Sequence, residues 1–238
     1  MNDNKTNEQA DGKDANGAAL GFMSSMSEKA GVTGIYHGIC RGYKEIYKAE
    51  YLNLFARLAA LKASAGRIVT KEMADLESYL DSLTEIKWDR FAPNVVMTVG
   101  ANALLDAGLS GSAYTVTGPY MGIIGAVSYT SVPVIGDTMT SHATWTEGGG
   151  TNAPTYTGPR KTISWAAASA RSKSPSAAPV FAFTGPGTTK GVFIVYGTGA
   201  VSTFDNTGGV LYSGGLFTGG DQIVANTNTV TVTYATSL

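Results

Sequence analysis

The chain holds one cysteine, Cys40, and two histidines, His37 and His142, among 238 residues. A lone thiol forms no internal disulfide, and one thiol with two imidazoles falls short of the four ligands of a structural zinc site. Excess charge is also missing. The 17 Lys+Arg against 18 Asp+Glu leave a net charge of -1, so no long-range field draws the chain to nucleic acid or to an acidic membrane surface. No apolar run approaches the roughly 18 residues of a membrane span. The opening stretch MNDNKTNEQADGKDANG lacks the apolar core of a signal peptide. These absences predict a protein with no cofactor and no metal, binding neither nucleic acid nor membrane, and made in a cytoplasm.

The charge that is present lies at one end. Residues 1–91 carry 12 Lys+Arg and 13 Asp+Glu, and residues 92–238 carry 5 and 5. The change comes at Phe91-Ala92-Pro93, where helix-forming composition gives way to Gly, Ser, Thr, Val and Tyr with recurrent turn dipeptides. The expected fold class is α+β in two parts. A flexible arm spans 1–19, a helical attachment or oligomerisation region spans 20–91, and an antiparallel β-sandwich spans 92–238.

The arm is too polar to bury a core of its own. From Ile35 onward a helix is expected, with Tyr47, Tyr51, Leu54, Leu58 and Leu61 along one stripe, broadened by Phe55. Thr70 can cap a second helix, in which Met73, Leu76, Leu80 and Leu83 repeat the spacing up to about Ile86. A hairpin within one chain and a bundle with other copies both satisfy these stripes. Tyrosine joins an apolar body to a polar tip and suits a surface buried only on assembly, which tilts the reading towards the second. Tyr43, Tyr47, Tyr51, Leu54, Leu58 and Leu61 are the candidate oligomer or docking interface.

Beyond residue 92, NVVMTV (94–99), TISW (162–165), VFAFT (180–184), GVFIVYG (191–197) and VTVTY (230–234) read as strands. The alternation in VTVTY predicts one buried and one wet face, whereas the unbroken VFIVY predicts a central strand covered on both. LYSGGLFTGGD (211–221) has phosphate-loop glycine spacing without the lysine or the following helix. It reads as a short edge strand between two glycine turns, with Phe217 a candidate contact between copies.

Catalytic patterns are no stronger. GLSGS (108–112) sets Ser110 one residue too close to the second glycine for a nucleophile elbow. His142 could pair with a serine and Asp137, although its neighbours suit an ordinary polar loop. Asp106, Asp137, Glu147, Asp205 and Asp221 need no explanation beyond turns, and Arg160, Lys161, Arg171, Lys173 and Lys190 lack the aromatic interleaving of a nucleic-acid groove. Trp145 and Tyr156, with Tyr129 and Trp165, could stack on a sugar, Trp165 being the one best suited to a core. The expectation is a protein that is not an enzyme.

The blocks PNVVMTVGANALLDAGL, YMGIIGAVSYTSVPVIGDTMTSHATWTE, GPRKTISWAAASARSKS, TTKGVFIV, LYSGGLFTGGDQIV and TVTVTY follow in order over residues 93–238. Together they resemble a β-domain of tailed-bacteriophage virion proteins, commonly short-fibre or tail-fibre proteins. The resemblance implies a non-enzymatic virion component, made in the host cytoplasm and trimeric in the manner of phage fibres. Its N-terminal region would dock on other virion proteins, a tail adaptor or a portal-proximal protein, and its β-domain would face a further fibre or a host-surface glycan. A head-decoration or cement protein and a carbohydrate-binding module are the alternatives.

Overall fold

The segment TGIYHGICRGY is a strand, β1 (Thr33–Tyr43), and not the start of a helix. Its signal is a period of two: Tyr36, Gly38, Cys40 and Gly42 are buried, while Ile35, His37 and Ile39 are half-buried. The inward glycines make room for side chains from elsewhere. A Cβ on Gly38 would stand 2.6 Å from Phe217 Cε1, and Gly34 and Gly42 lie against Tyr234 and Asn228. A helix would scatter these positions around its circumference. The structure, a computed structural model, describes residues 33–65, 70–109 and 117–237; the arm expected over 1–19 lies outside them.

After β1 and a single 3-10 turn (Glu45–Tyr47), the chain forms helices α1 (Lys48–Ala65) and α2 (Lys71–Ser82) and returns as β2 (Thr84–Val96). Thr70 caps α2, its hydroxyl accepting from the Met73 N–H at 3.2 Å. The two stripes face each other. Tyr51 and Leu58 close on Met73, Leu80 and Leu83, with Tyr43, Leu54, Leu61 and Leu76 at the rim. Arg57–Glu72 at 2.5 Å and Lys62–Glu77 at 2.6 Å bracket the seam. Ile86, expected to end the second helix, lies in β2 and is exposed.

β1 and β2 pair antiparallel from Ile35↔Pro93 to Tyr43↔Thr84, which sets the helical hairpin at the tip of a two-stranded ribbon. β2 runs unbroken across the boundary expected at 91/92, and residues 32–237 form one unit. The charge change therefore marks an exposed insertion and not a domain border. Helix α3 (Thr98–Leu109) takes up the end of the expected strand NVVMTV; it packs closely on β9 at Gly100, where an added Cβ would stand 2.8 Å from Tyr212 Cα.

The remaining strands are β3 (Tyr120–Gly125), β4 (Glu147–Gly148), β5 (Lys161–Thr162), β6 (Ser172–Lys173), β7 (Val180–Ala182), β8 (Gly187–Tyr196), β9 (Val210–Leu216), β10 (Gln222–Val224) and β11 (Thr229–Ser237). They join in the order β4-β3-β8-β9-β2-β1-β11-β6, with β5 on β3, β10 on β8 and β7 on β11. The result is a β-rich α+β fold on an antiparallel sheet.

β8 runs through the middle of the core. Val192, Ile194 and Tyr196 face a cluster that includes Tyr36, Met121, Phe181, Val232 and Tyr234, while Phe193 and Val195 face Met97, Ile124, Met139, Trp145 and Leu211. A strand covered on both faces has no wet side for polar residues, which accounts for the unbroken VFIVY. β11 alternates as expected, with Val230, Val232 and Tyr234 buried and Thr233 exposed. In LYSGGLFTGGD, Gly219 and Gly220 turn the chain with φ of +85° and +83°. Gly214 and Gly215 instead lie inside β9, where the Gly215 carbonyl occupies the space a Cβ on Gly191 would need.

Candidate functional site

The expected interface is largely internal. Tyr51 and Leu58 are buried, Tyr43, Leu54 and Leu61 are half-buried at the hairpin rim, and Tyr47 alone of the helical set is exposed. The reason is proximity: two tethered stripes meet each other before either meets a second molecule. Phe217 is also a core residue, 4 % exposed and tilted against Trp88 at a centroid distance of 5.1 Å. It is no contact between copies. The hairpin still presents Ile46, Leu52, Phe55 and Tyr79 to solvent, and the Tyr79 hydroxyl donates to Glu50 at 2.8 Å.

The aromatic residues expected at the surface are buried too. Trp145 is 1 % exposed: His142 stacks on it at 4.0 Å, Phe193 packs at 5.3 Å, and its Nε1–H donates to Asp137 Oδ2 at 2.9 Å. Tyr156 is 4 % exposed among the edges of Phe181, Phe183 and Phe204. Neither offers a face to a sugar. Trp165 is half-buried, edge-on to Tyr234, and Tyr129 lies under the Lys190 ammonium at 4.7 Å.

The acids and bases are held by specific partners. Glu147 takes Arg160 Nε at 2.8 Å, Arg160 Nη2 at 2.6 Å and the Asp205 N–H at 2.9 Å. Arg160 also donates to the carbonyls of Val201 and Asn206. Burial pushes the Glu147 carboxyl above its usual range, opposed by the hydrogen bonds and charge of Arg160. Asp137 accepts from Trp145 and from the Val134 N–H, and His142 Nδ1 meets the Trp145 carbonyl, so His142 and Asp137 form no dyad. Asp205 accepts from Asn152, and Asp221 pairs with Lys190. Ser110 lies outside the described residues. Among the described residues, no group of three or more His, Cys, Asp or Glu could hold a metal.

A tyrosine network went unread in the sequence. The Tyr36 hydroxyl bonds Ser213, Asn94 Nδ2 donates to the Tyr234 hydroxyl at 2.9 Å, and Tyr212 meets Thr236 at 3.2 Å. Tyr196 donates to the Gly100 carbonyl at 3.2 Å, tying α3 to β8. Burial raises the Tyr36 and Tyr234 hydroxyls well above the ordinary tyrosine range. Partners so far apart along the chain leave no local signal, although the inward position of Tyr36 in an alternating strand was a clue.

The arrangement is suited to holding loops and strands together, and it leaves Ile46, Leu52, Phe55 and Tyr79 of the hairpin exposed. No described helix is long and apolar enough to cross a membrane. No protein-family model matches the chain, and no curated protein or solved structure matches it.

Proposed function

We propose that this chain is a structural, non-catalytic protein of a tailed-bacteriophage particle, a tail-fibre or tail-attachment component that docks through its helical hairpin. One observation carries the reading: the hairpin sits at the tip of the β1–β2 ribbon with its own core closed, yet exposes Ile46, Leu52, Phe55 and Tyr79. An element whose own core is closed, and which still shows apolar side chains, is suited to a protein contact within the particle. The likeness of residues 93–238 to phage β-domains supplies the station, and fibre-like assembly supplies the trimer.

We read the β part as a sandwich turned outward. One buried cluster joins Met121 and Ile123 of β3 to Val230 and Val232 of β11, with Tyr36 and Tyr212 between them, so strands near both ends of the sheet order share one core. The sugar-binding alternative loses two of the four aromatics that motivated it, since Trp145 and Tyr156 are interior while Tyr129 and Trp165 are half-buried.

Quantitative mass spectrometry of purified particles, with immunogold labelling against this chain, tests the proposal. Tens of copies with label at the tail are expected. Hundreds of copies spread over the head would replace it with the head-decoration reading, and absence from the particle would sink both.

A further inference from the structure

We propose that the outer face of α1 is the surface through which copies of this chain associate. The inference rests on the hairpin being an assembly element and names the partner of that element.

Helix α1 is apolar on two sides. At about 100° per residue, the stripe Tyr51, Leu54, Leu58 and Leu61 faces α2, while Leu52, Phe55, Ala56, Ala59, Ala60 and Ala63 cover the side away from it, all of them exposed. Phe55 stacks beside Tyr51 at 5.9 Å, which makes the two apolar faces contiguous. Glu50, Asn53, Arg57 and Ser64 form a polar strip along one border, and Lys48 and Lys62 stand at the other. An exposed apolar face bordered by polar residues is a candidate contact surface, and α2 covers only the opposite one.

Charge argues for a second copy as the cover. The six residues of the outer face carry no ionisable group. The lysines at its border are matched on their own chain, Lys48 by Glu45 at 3.7 Å and Lys62 by Glu77 at 2.6 Å, and Arg57 in the polar strip is matched by Glu72. Identical faces bring identical charges together, so only a face without net charge pairs with itself free of repulsion. A strongly acidic or basic partner would find no opposing charge here.

Shape points the same way. Leu52, Ala56, Ala59 and Ala63 follow the four-three-four spacing of a coiled-coil seam, and the alanines let helix axes approach to about 8 Å. The helix is about 27 Å long, and one seam of that length covers less than the roughly 800 Å² per partner of a stable interface. Association through α1 is therefore concentration-dependent, as suits a component that gathers only at assembly.

The test is sedimentation velocity on the full chain from low micromolar to near-millimolar concentration. The wild type is expected to associate as concentration rises, with Ala59→Glu and Leu52→Glu each weakening association at least tenfold, or about 1.4 kcal/mol. Asn53→Glu, in the polar strip, should associate as the wild type does. Circular dichroism and the urea midpoint check that the variants keep the hairpin, which they should because these positions are exposed. A wild type monomeric throughout, or Ala59→Glu and Leu52→Glu associating unchanged, overturns the inference and leaves the face to a different protein. The outcomes separate from those of the proposed function. A monomer that still labels phage tails defeats the self-association and the trimer but leaves the station in the particle standing, and α1-dependent association of a chain absent from particles defeats only the virion role.

Discussion

Arg160 donates to both oxygens of Glu147, from Nε at 2.8 Å and Nη2 at 2.6 Å, with the two side chains 1 % and 4 % exposed. The same guanidinium holds the carbonyls of Val201 and Asn206, so one ion pair pins β4 and two loops. Arg160→Met leaves a buried carboxylate without its partner and should cost about 3–5 kcal/mol. Replacing both, Arg160→Met with Glu147→Leu, should recover most of that loss, because neither charge is then stranded. Urea unfolding of the two single variants and the double variant checks this. A double variant as unstable as Arg160→Met would contradict the clasp.

Trp145 should behave as an interior residue. With Trp88 and Trp165 replaced by Phe, its emission should be blue-shifted and insensitive to iodide until the chain unfolds. Trp145→Ala should cost about 3–5 kcal/mol, and the urea midpoint reads it. Emission at the wavelength of free indole, quenched by iodide in the native state, would return Trp145 to the surface.

Cys40 gives a pH dependence with a definite sign. Burial pushes its thiol from an ordinary 9.0 to about 12. Below the lower value both states keep the proton and the group contributes no pH dependence. Above it the unfolded chain ionises first, so native stability should fall by up to about 1.4 kcal/mol per pH unit until the folded thiol titrates as well. The stability difference between wild type and Cys40→Ala isolates this effect from the buried tyrosines. A difference that stays flat from about pH 8 to pH 11 would be inconsistent with the burial.

Two glycines should respond oppositely to alanine. A Cβ on Gly191 would overlap the Gly215 carbonyl, with Leu216 Cα 2.8 Å away, and neither backbone can move without parting β8 from β9. Gly191→Ala should cost about 3 kcal/mol or more. Gly136 has nothing within 4 Å of an added Cβ and no positive φ. Its alanine variant should be neutral or stabilise by up to about 1 kcal/mol, through the unfolded chain. Thermal midpoints of the two variants decide both.

The features that were legible in the sequence are those whose cause is local. Thr70 caps a helix through a bond to Met73 three residues on, and the valines of β11 alternate with threonines because one face is wet. The unbroken VFIVY likewise declares a strand with core on both sides. β1 was misread because its apolar and aromatic residues also fit a helical count, and the deciding glycines matter only once Phe217 and Tyr234 lie against them. Among candidate site residues, Trp145, Tyr156 and Phe217 looked like surface aromatics because aromatic rings carry no mark of which side they face.

The sequence by itself determined the antiparallel β character, two helices with their cap and stripes, and the want of a zinc or nucleotide motif. These follow from periodicity, turn chemistry and residue stock, which act over a few positions. Tertiary structure alone decided that β1 and β2 pair across the expected domain boundary, that Glu147 and Arg160 meet in the core, and that the α1 stripe is spent on α2. Such pairings join distant residues through packing, where many partners are compatible with any one side chain and only the assembled fold selects among them. The outer face of α1 became visible by the same route, since it could be told from the inner one only after α2 had covered its side.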